Sequence, residues 1–352
     1  MESPPKETHL VTGGSGFIGL HVVNALLDKG YVVHATVRSL KNAKKTAGLN
    51  ELRAKHPGRL RLFEADLLQP GSFKAAMQGC SVVHHVASPF MMAENIKDGQ
   101  KECVEPALEG TKNVLASVDE TESVRRVVLT STVGAIFGDY KDVTDRMGGV
   151  LTEDHFNETS TVTHNPYHYS KVLAEKEAWA ILKRQNRWDM VVICPGLVLG
   201  PALSGGSDSG SLFLMDELLS GQLFFGVPDL YFATVDVREV AASHVAGAEV
   251  AEAAGRRYIV AAAEMAAFLD VARIFRRQEG ASRLIPAHGI PHVVTRCLGP
   301  LFGLTRRWMS RNLGVRFAVD NGRSVGELGI RYRPLEETLV DNFKTWKAMR
   351  AK

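Results

Sequence analysis

Thr12-Gly-Gly-Ser-Gly16-Phe-Ile-Gly19 decides the fold. It follows a short apolar run, His9-Leu-Val-Thr12. It opens a segment whose apolar residues Phe17, Leu20, Val23, Leu26 and Leu27 recur at helical spacing. Gly30 ends that segment, and Tyr31–Val37 reads as a β-branched strand. Strand, glycine turn, helix and strand therefore follow one another between His9 and Val37. Glycines 13, 16 and 19 let a backbone turn tightly and approach a pyrophosphate closely. The helix N-terminus behind them offers free N–H groups and a partial positive charge. The stretch reads as a dinucleotide cradle rather than as a purely structural turn.

Outward from it, the alternation continues. Leu60–Phe63, Ser81–Val86, Arg126–Ser131 and Met190–Cys194 are predicted strands, and Glu105–Val118 and Pro166–Arg184 predicted helices. Asn165 stands at the N-cap of the second, with Pro166 in its first turn. This pattern implies an α/β fold with a Rossmann-type, doubly wound parallel sheet. After Pro195 the pattern loosens. Leu203–Ser211 reads as a loop, Leu212–Leu219 and Asp236–Val250 as helices, and Arg257–Val260 as a returning strand. Helical stretches near 267–279 and 292–312 and a last helix from Pro334 follow. The expected organisation is a nucleotide-binding domain over 1–195, with 234–260 returning to it. A smaller substrate lobe is expected from 196–233 and 261–333, with a C-terminal helix over 334–352.

The end of the second strand chooses between cofactors. An acid there holds a ribose 2′-hydroxyl, whereas Arg accommodates a 2′-phosphate. This chain has Arg38, followed by Lys44 and Lys45, so the expected cofactor is NADP(H).

Composition is that of an ordinary globular protein. The 352 residues are 45% hydrophobic and 23% charged, with a net charge of +3 spread along the chain. No nucleic-acid footprint is visible in that distribution. Four cysteines without Cys-x-x-Cys spacing, a polar N-terminus and no long apolar run predict a reduced, cytoplasmic protein without a membrane span. His84 and His85 are neighbours on a strand and point to opposite faces, so they do not jointly bind a metal, and no metal is expected. Arg306–Arg311 is a basic, amphipathic turn that reads as a solvated helix face.

Asn165-Pro-Tyr-His-Tyr-Ser-Lys171 places Tyr167 one helical turn before Lys171. A phenol has an ordinary pKa of about 10 and exchanges protons poorly near neutrality. An adjacent ammonium favours the phenolate and lowers that value. His168 projects roughly 100° away around the helix and is left out of the chemistry.

The glycine stretch and Tyr167-x-x-x-Lys171 together resemble the extended short-chain dehydrogenase/reductase superfamily over essentially the whole chain. Finer strings are Ala35-Thr-Val-Arg38, His85-Val-Ala-Ser-Pro89-Phe90, Glu109-Gly-Thr111, Val127-Val-Leu-Thr-Ser131-Thr132 and Pro195-Gly-Leu-Val-Leu-Gly-Pro201. They resemble the dihydroflavonol reductase and cinnamoyl-CoA reductase branch, which also holds aldehyde, ketone and methylglyoxal reductases. The resemblance implies that Tyr167 is the catalytic acid, with Lys171 its partner and a holder of the nicotinamide ribose. Thr132 or Ser131 is the third hydroxyl. Asp66 and Leu67 are implied to meet adenine, and Val86, Ala87 and Ser88 the middle of the dinucleotide. Pro195 and Val198 are implied to meet the nicotinamide face. Thr12, Phe17, Ile18, Thr130 and Gly196 complete the implied cofactor set. Phe137 stands where plant dihydroflavonol reductases carry Asn, and the Trp of the cinnamoyl-CoA reductase signature is here Pro166. Pro89, Phe90, Phe137, Phe213 and Phe224 are the candidate substrate-pocket residues. The activity implied is NADPH-dependent reduction of a small aldehyde or ketone to an alcohol, by a monomer or homodimer. Two alternatives share the scaffold: an NAD-dependent nucleotide-sugar epimerase or dehydratase, and a non-catalytic NADP-binding sensor.

Overall fold

Seven strands, all parallel, form one sheet in the computed structural model, which describes residues 7–88, 96–206 and 209–351. They are β1 (Thr8–Thr12), β2 (Val32–Val37), β3 (Leu60–Glu64), β4 (Val82–His85), β5 (Arg126–Thr130), β6 (Asp189–Pro195) and β7 (Arg257–Val260). Their spatial order is β3-β2-β1-β4-β5-β6-β7. The chain winds one way from β1 and then the other from β4. A crevice therefore opens beyond the carboxyl ends of those two strands, where ligands bind in sheets of this kind.

Helices cover both faces. Helix α1 (Phe17–Asp28) packs against α5 (Val237–Glu249), while α3 (Glu105–Asp119) packs against α4 (Pro166–Leu182). Burial on both sides explains why the strands are apolar almost throughout. Successive side chains join different cores, Leu10 on one face and Val11 on the other, and likewise Val127 and Val128. Each such fully buried Val or Leu contributes roughly 1.5–3 kcal/mol. His84 and His85 also part company. His84 bonds His9 at 3.0 Å and His244 at 3.4 Å, whereas His85 bonds Thr12 Oγ1 at 3.0 Å.

The segments after β6 gather a further core from Leu218, Phe275, Leu339 and Phe343. It lies among the helices Gly210–Leu219, Phe268–Arg276 and Leu335–Arg350. Short strand pairs stitch these segments to the rest. Thr234–Asp236 runs parallel to Leu197–Leu199, and Ala318–Val319 parallel to Val150–Leu151.

Two local expectations are corrected, and one helix is added. The predicted helix over 292–312 is broken into His292–Leu298 and Arg306–Asn312, because Pro300 lies between them and Gly303 turns left-handed at φ 78°. Helix α2 (Ala43–Lys55) is an element that the sequence pattern did not mark. Its apolar stripe is thin, with only Thr46, Gly48, Leu49 and Leu52 buried, so its periodicity is hard to read. Asn165 occupies the N-cap position of α4 but does not cap it. It is left-handed, at φ 54°, and its amide donates instead to Gly138 O at 2.8 Å and Asp139 Oδ1 at 3.2 Å.

Candidate active site

A cleft of about 1030 Å³ runs from the glycine turn to the start of α4. Its near end is backbone. Gly13 is left-handed at φ 66°, and a Cβ on Gly19 would lie 2.2 Å from Gly13 O. A Cβ on Gly14 would meet Ala35 Cβ at 2.8 Å. Side chains at these positions would fill the cradle, so the residues present fit a pyrophosphate resting on the N-terminus of α1. Gly13, Gly16, Phe17, Ile18, Gly19, Asp66, Leu67, Val86, Ala87 and Ser88 all line the cleft, as the sequence led us to expect. Arg38 lines it too, and its guanidinium has no hydrogen bond or ion pair among the described residues. Lys45 joins it from the first turn of α2, whose N-terminus Asn42 caps through Oδ1 and Lys45 N at 3.1 Å.

Some expected cofactor contacts act from behind. The Thr12 hydroxyl accepts from Val86 N at 3.1 Å and Ala87 N at 3.0 Å, tying the ends of β1 and β4 together beneath the cradle. Thr130 bonds His244 Nε2 at 2.9 Å, and Pro195 is the buried last residue of β6. Neither lines the cleft, although Gly196 and Val198 do. Lys44 is exposed and points away, because one residue along a helix is a turn of 100° from Lys45.

At the far end Tyr167 and Thr132 both face the cleft. Thr132 Oγ1 is anchored by Gly134 N at 3.2 Å and by Pro195 O at 3.4 Å. Ser131 is turned away, since its hydroxyl donates to the buried Glu175 Oε2 at 2.5 Å. Of the two candidate hydroxyls, only that of Thr132 reaches the cleft. Tyr167 keeps 37% of its surface open, yet the atoms packed around it push its pKa above the ordinary value, with Cys103 acting in the same direction. The net direction is upward, so the expected lowering by Lys171 does not prevail over burial. Lys171 lies beneath Tyr167, 9% exposed, and donates to Ser88 Oγ at 3.2 Å. Burial lowers its own pKa to about 8, against the pull of Glu175 one turn further on. Lys171, Ser131, Thr130 and Glu175 line a small cavity of about 20 Å³ behind the cleft, room for one water.

The substrate-pocket expectations divide. Phe137 lines the cleft. Phe213 and Phe224 do not. They are exposed on the smaller lobe, and sequence alone cannot separate such residues from pocket residues of the same type. Pro89 and Phe90 lie outside the described residues. The lining instead draws in Tyr140, His168, Phe232, Met265 and Phe317. Phe317 meets Phe137 and Tyr140 edge-on at 5.4 and 5.5 Å between ring centres. His168 reaches the cleft despite its angle from Tyr167, because the cleft wraps around the first turn of α4. Its Nδ1 lies 3.3 Å from Gly138 O.

A parallel sheet with its cradle at the switch point defines a dinucleotide-binding protein of the doubly wound class. Residues 9–264 match the NAD dependent epimerase/dehydratase family, and the chain belongs to that family. It is 34% identical to a cinnamoyl-CoA reductase of Medicago truncatula over 96% of this chain and 94% of that one. It is also 34% identical to an anthocyanidin reductase of Vitis vinifera, over 75% of this chain and 80% of the other. Among solved structures, yeast methylglyoxal/isovaleraldehyde reductase Gre2 complexed with NADPH superimposes with a TM-score of 0.78 at 26% identity. That match covers 98% of this chain and 99% of the other. These relatives bear out the branch that the sequence strings suggested.

Proposed function

We propose that this chain is an NADPH-dependent reductase that converts an apolar aldehyde or ketone to its alcohol. The observation that carries the reading is one continuous cleft, with a glycine cradle and Arg38 at one end and the Tyr167 and Thr132 hydroxyls at the other. Reductases among the relatives, one of them complexed with NADPH, support it. The described residues that line that end with Tyr167 include Phe137, Tyr140, His168, Phe232, Met265 and Phe317, and Glu102 also lines the cleft. With no Lys or Arg among the described residues lining that end, the pocket suits an uncharged, bulky apolar carbonyl better than a sugar nucleotide or another anionic substrate.

When NADPH is bound, the chemistry it supplies is a hydride for the carbonyl carbon. Arg38, with Lys45 and the N-terminus of α2, holds the 2′-phosphate. Thr132 Oγ1 donates to the carbonyl oxygen and orients it. The Tyr167 hydroxyl delivers its proton to that oxygen as negative charge develops, so the carbonyl becomes an alcohol and Tyr167 is left as phenolate. Lys171, as a cation beneath it, stabilises that phenolate. Residues 1–195 and 234–260 serve the nucleotide in this reading. Residues 196–233 and 261–333 serve the substrate, and 334–352 close the lobe. The reaction is placed in the cytoplasm, where the buried free thiols of Cys80, Cys103 and Cys194 persist, with the enzyme working as a monomer or homodimer.

The test is NADPH oxidation across aromatic and branched aldehydes, β-keto esters, dihydroflavonols, methylglyoxal and hydroxycinnamoyl-CoA esters. Tyr167→Phe should lower kcat by roughly 100- to 10,000-fold on whichever carbonyl is turned over. NADPH binding, followed by fluorescence, should be unchanged. Turnover retained in that variant overturns the mechanism.

A further inference from the structure

The smaller lobe carries a surface that the proposed reaction does not use. From Gly280 to Val319 the sequence holds six arginines and not one Asp or Glu. Two of the six are committed inward. Arg311 pairs with Asp142 at 2.8 Å, and Arg316 stacks on the Tyr231 ring at 4.0 Å. The side chains of Arg283, Arg296, Arg306 and Arg307 are exposed and make no ion pair among the described residues. Interleaved with them are large apolar side chains left in water. Leu284, Val293, Val294, Leu298 and Leu301 are between 41% and 80% exposed. The helix His292–Leu298 buries only Thr295. It is held to the lobe at its start, where His292 Nε2 meets Asp229 Oδ2 at 2.7 Å. Phe224, 62% exposed, adds to the same side through the turn 221–226, whose glycines pack against Leu284 and Ile290.

We propose that this face, centred on Val293, Leu298 and Leu301 and rimmed by Arg296, Arg306 and Arg307, docks the protein on an anionic lipid bilayer surface. Scattered exposed apolar residues need no explanation, but Val293, Val294, Leu298 and Leu301, all exposed within one short segment, do. Apolar side chains entering the acyl boundary, with guanidinium groups level with the lipid phosphates, are the pattern of interfacial binding. Among the described residues no helix is long and apolar enough to cross a membrane, so the attachment is to the surface. A second copy of the chain fits the face poorly. An isologous contact would set Arg296, Arg306 and Arg307 near their own copies with no carboxylate between 280 and 319 to pair them. The face lies outside the cleft lining, so docking leaves the cleft open.

Cys297 sits on the same helix and is the exposed one of the four free thiols, the other three being buried. It provides a reporter. The full chain, labelled there with an environment-sensitive maleimide dye, is mixed with phosphatidylserine/phosphatidylcholine vesicles or with phosphatidylcholine vesicles alone. The mixed vesicles should pellet the protein and shift the dye emission to the blue. Phosphatidylcholine alone should bind at least about tenfold more weakly, and high salt should release the protein. Val293→Glu with Leu301→Glu should abolish binding and the blue shift while NADPH oxidation in solution is unchanged. Arg296→Glu, Arg306→Glu and Arg307→Glu together should remove the preference for phosphatidylserine. Failure to bind the mixed vesicles overturns the proposal. So does equal binding by the Glu variants, or a dimer in light scattering that Leu301→Glu splits.

Discussion

The two ends of the cleft are built differently. The nucleotide end comes from one unbroken stretch, residues 12–19, with the tips of β2 and β4 beside it, and its shape is set by backbone. The substrate end gathers Phe137, Tyr140, Phe232, Met265 and Phe317 from four places in the chain, and its shape is set by side chains. A backbone cradle tolerates little substitution, because a Cβ on Gly19 would collide with main-chain atoms that cannot rotate away. A wall of side chains can be repacked one residue at a time. The first end is therefore fixed to one class of ligand, and the second is where members of one family diverge in substrate.

That contrast is broken most directly at Gly19. In Gly19→Ala the new Cβ would stand 2.2 Å from Gly13 O and 3.0 Å from Gly13 C, so the turn itself must move. The expected loss in kcat/KM for NADPH is about 100-fold, in line with a misplacement of about 1 Å. Values measured at saturating carbonyl with varied NADPH check it. A loss confined to the KM of the carbonyl would show that the two ends are not separate.

Arg38→Ala should have the next largest effect. The guanidinium has no hydrogen-bond or ion-pair partner to release among the described residues, so its removal costs what it gives to the ligand. Charge-assisted hydrogen bonds of about 1.5–3 kcal/mol correspond to a roughly 10- to 100-fold weaker grip on NADPH. NADH should be unaffected, so the ratio of the two kcat/KM values falls toward one. A wild-type enzyme that prefers NADH would remove the reason for the assignment.

At the other end the effect is smaller and falls on a different constant. Phe317 is 7% exposed and shares edge contacts with Phe137 and Tyr140. Phe317→Leu keeps the core filled but opens part of one wall. The KM for a bulky aromatic carbonyl should rise by about tenfold, within the range for losing a few apolar contacts, with the Kd for NADPH unchanged.

The same contrast explains what could be read from sequence. The cradle, Arg38 and the Tyr167–Lys171 turn are local patterns whose chemistry follows from spacing along the chain, and the cradle, Arg38 and Tyr167 line one cleft with Lys171 behind it. The substrate wall is not local. Met265 and Phe317 lie far from Tyr140 in sequence, and only the fold brings them to one cleft. Phe213 and Phe224 match the residue type expected of that wall and yet stand outside it. Ser131 and Thr132 were indistinguishable as a pair because neighbouring side chains on an extended strand differ only in face. The partner that takes Ser131 out of the cleft is Glu175, whose relevance only the fold reveals.

Glu175 is buried behind the cleft, in the wall of the small cavity. Its carboxylate takes hydrogen bonds from Ser131 and from Arg257 Nε at 2.6 Å, and it sits one helical turn beyond Lys171. Burial lowers the Lys171 pKa to about 8, and Glu175 opposes that shift. Because the folded value lies below the ordinary value of about 10.5, the unfolded chain binds more protons between the two. This group's contribution to stability is therefore present above the ordinary value and lost as pH falls through about 8. Activity has the opposite dependence, since Lys171 stabilises the Tyr167 phenolate only as a cation. The kcat/KM for carbonyl reduction should therefore fall as pH rises through about 8. Glu175→Gln removes the opposing carboxylate, so Lys171 gives up its proton at lower pH and the alkaline limb moves toward neutrality. The variant also unpairs the buried Arg257, so a lower Tm is expected. A purely structural role for Glu175 would lower Tm and leave the alkaline limb in place. Ser131→Ala, which removes only one donor to the same carboxylate, should shift the limb less.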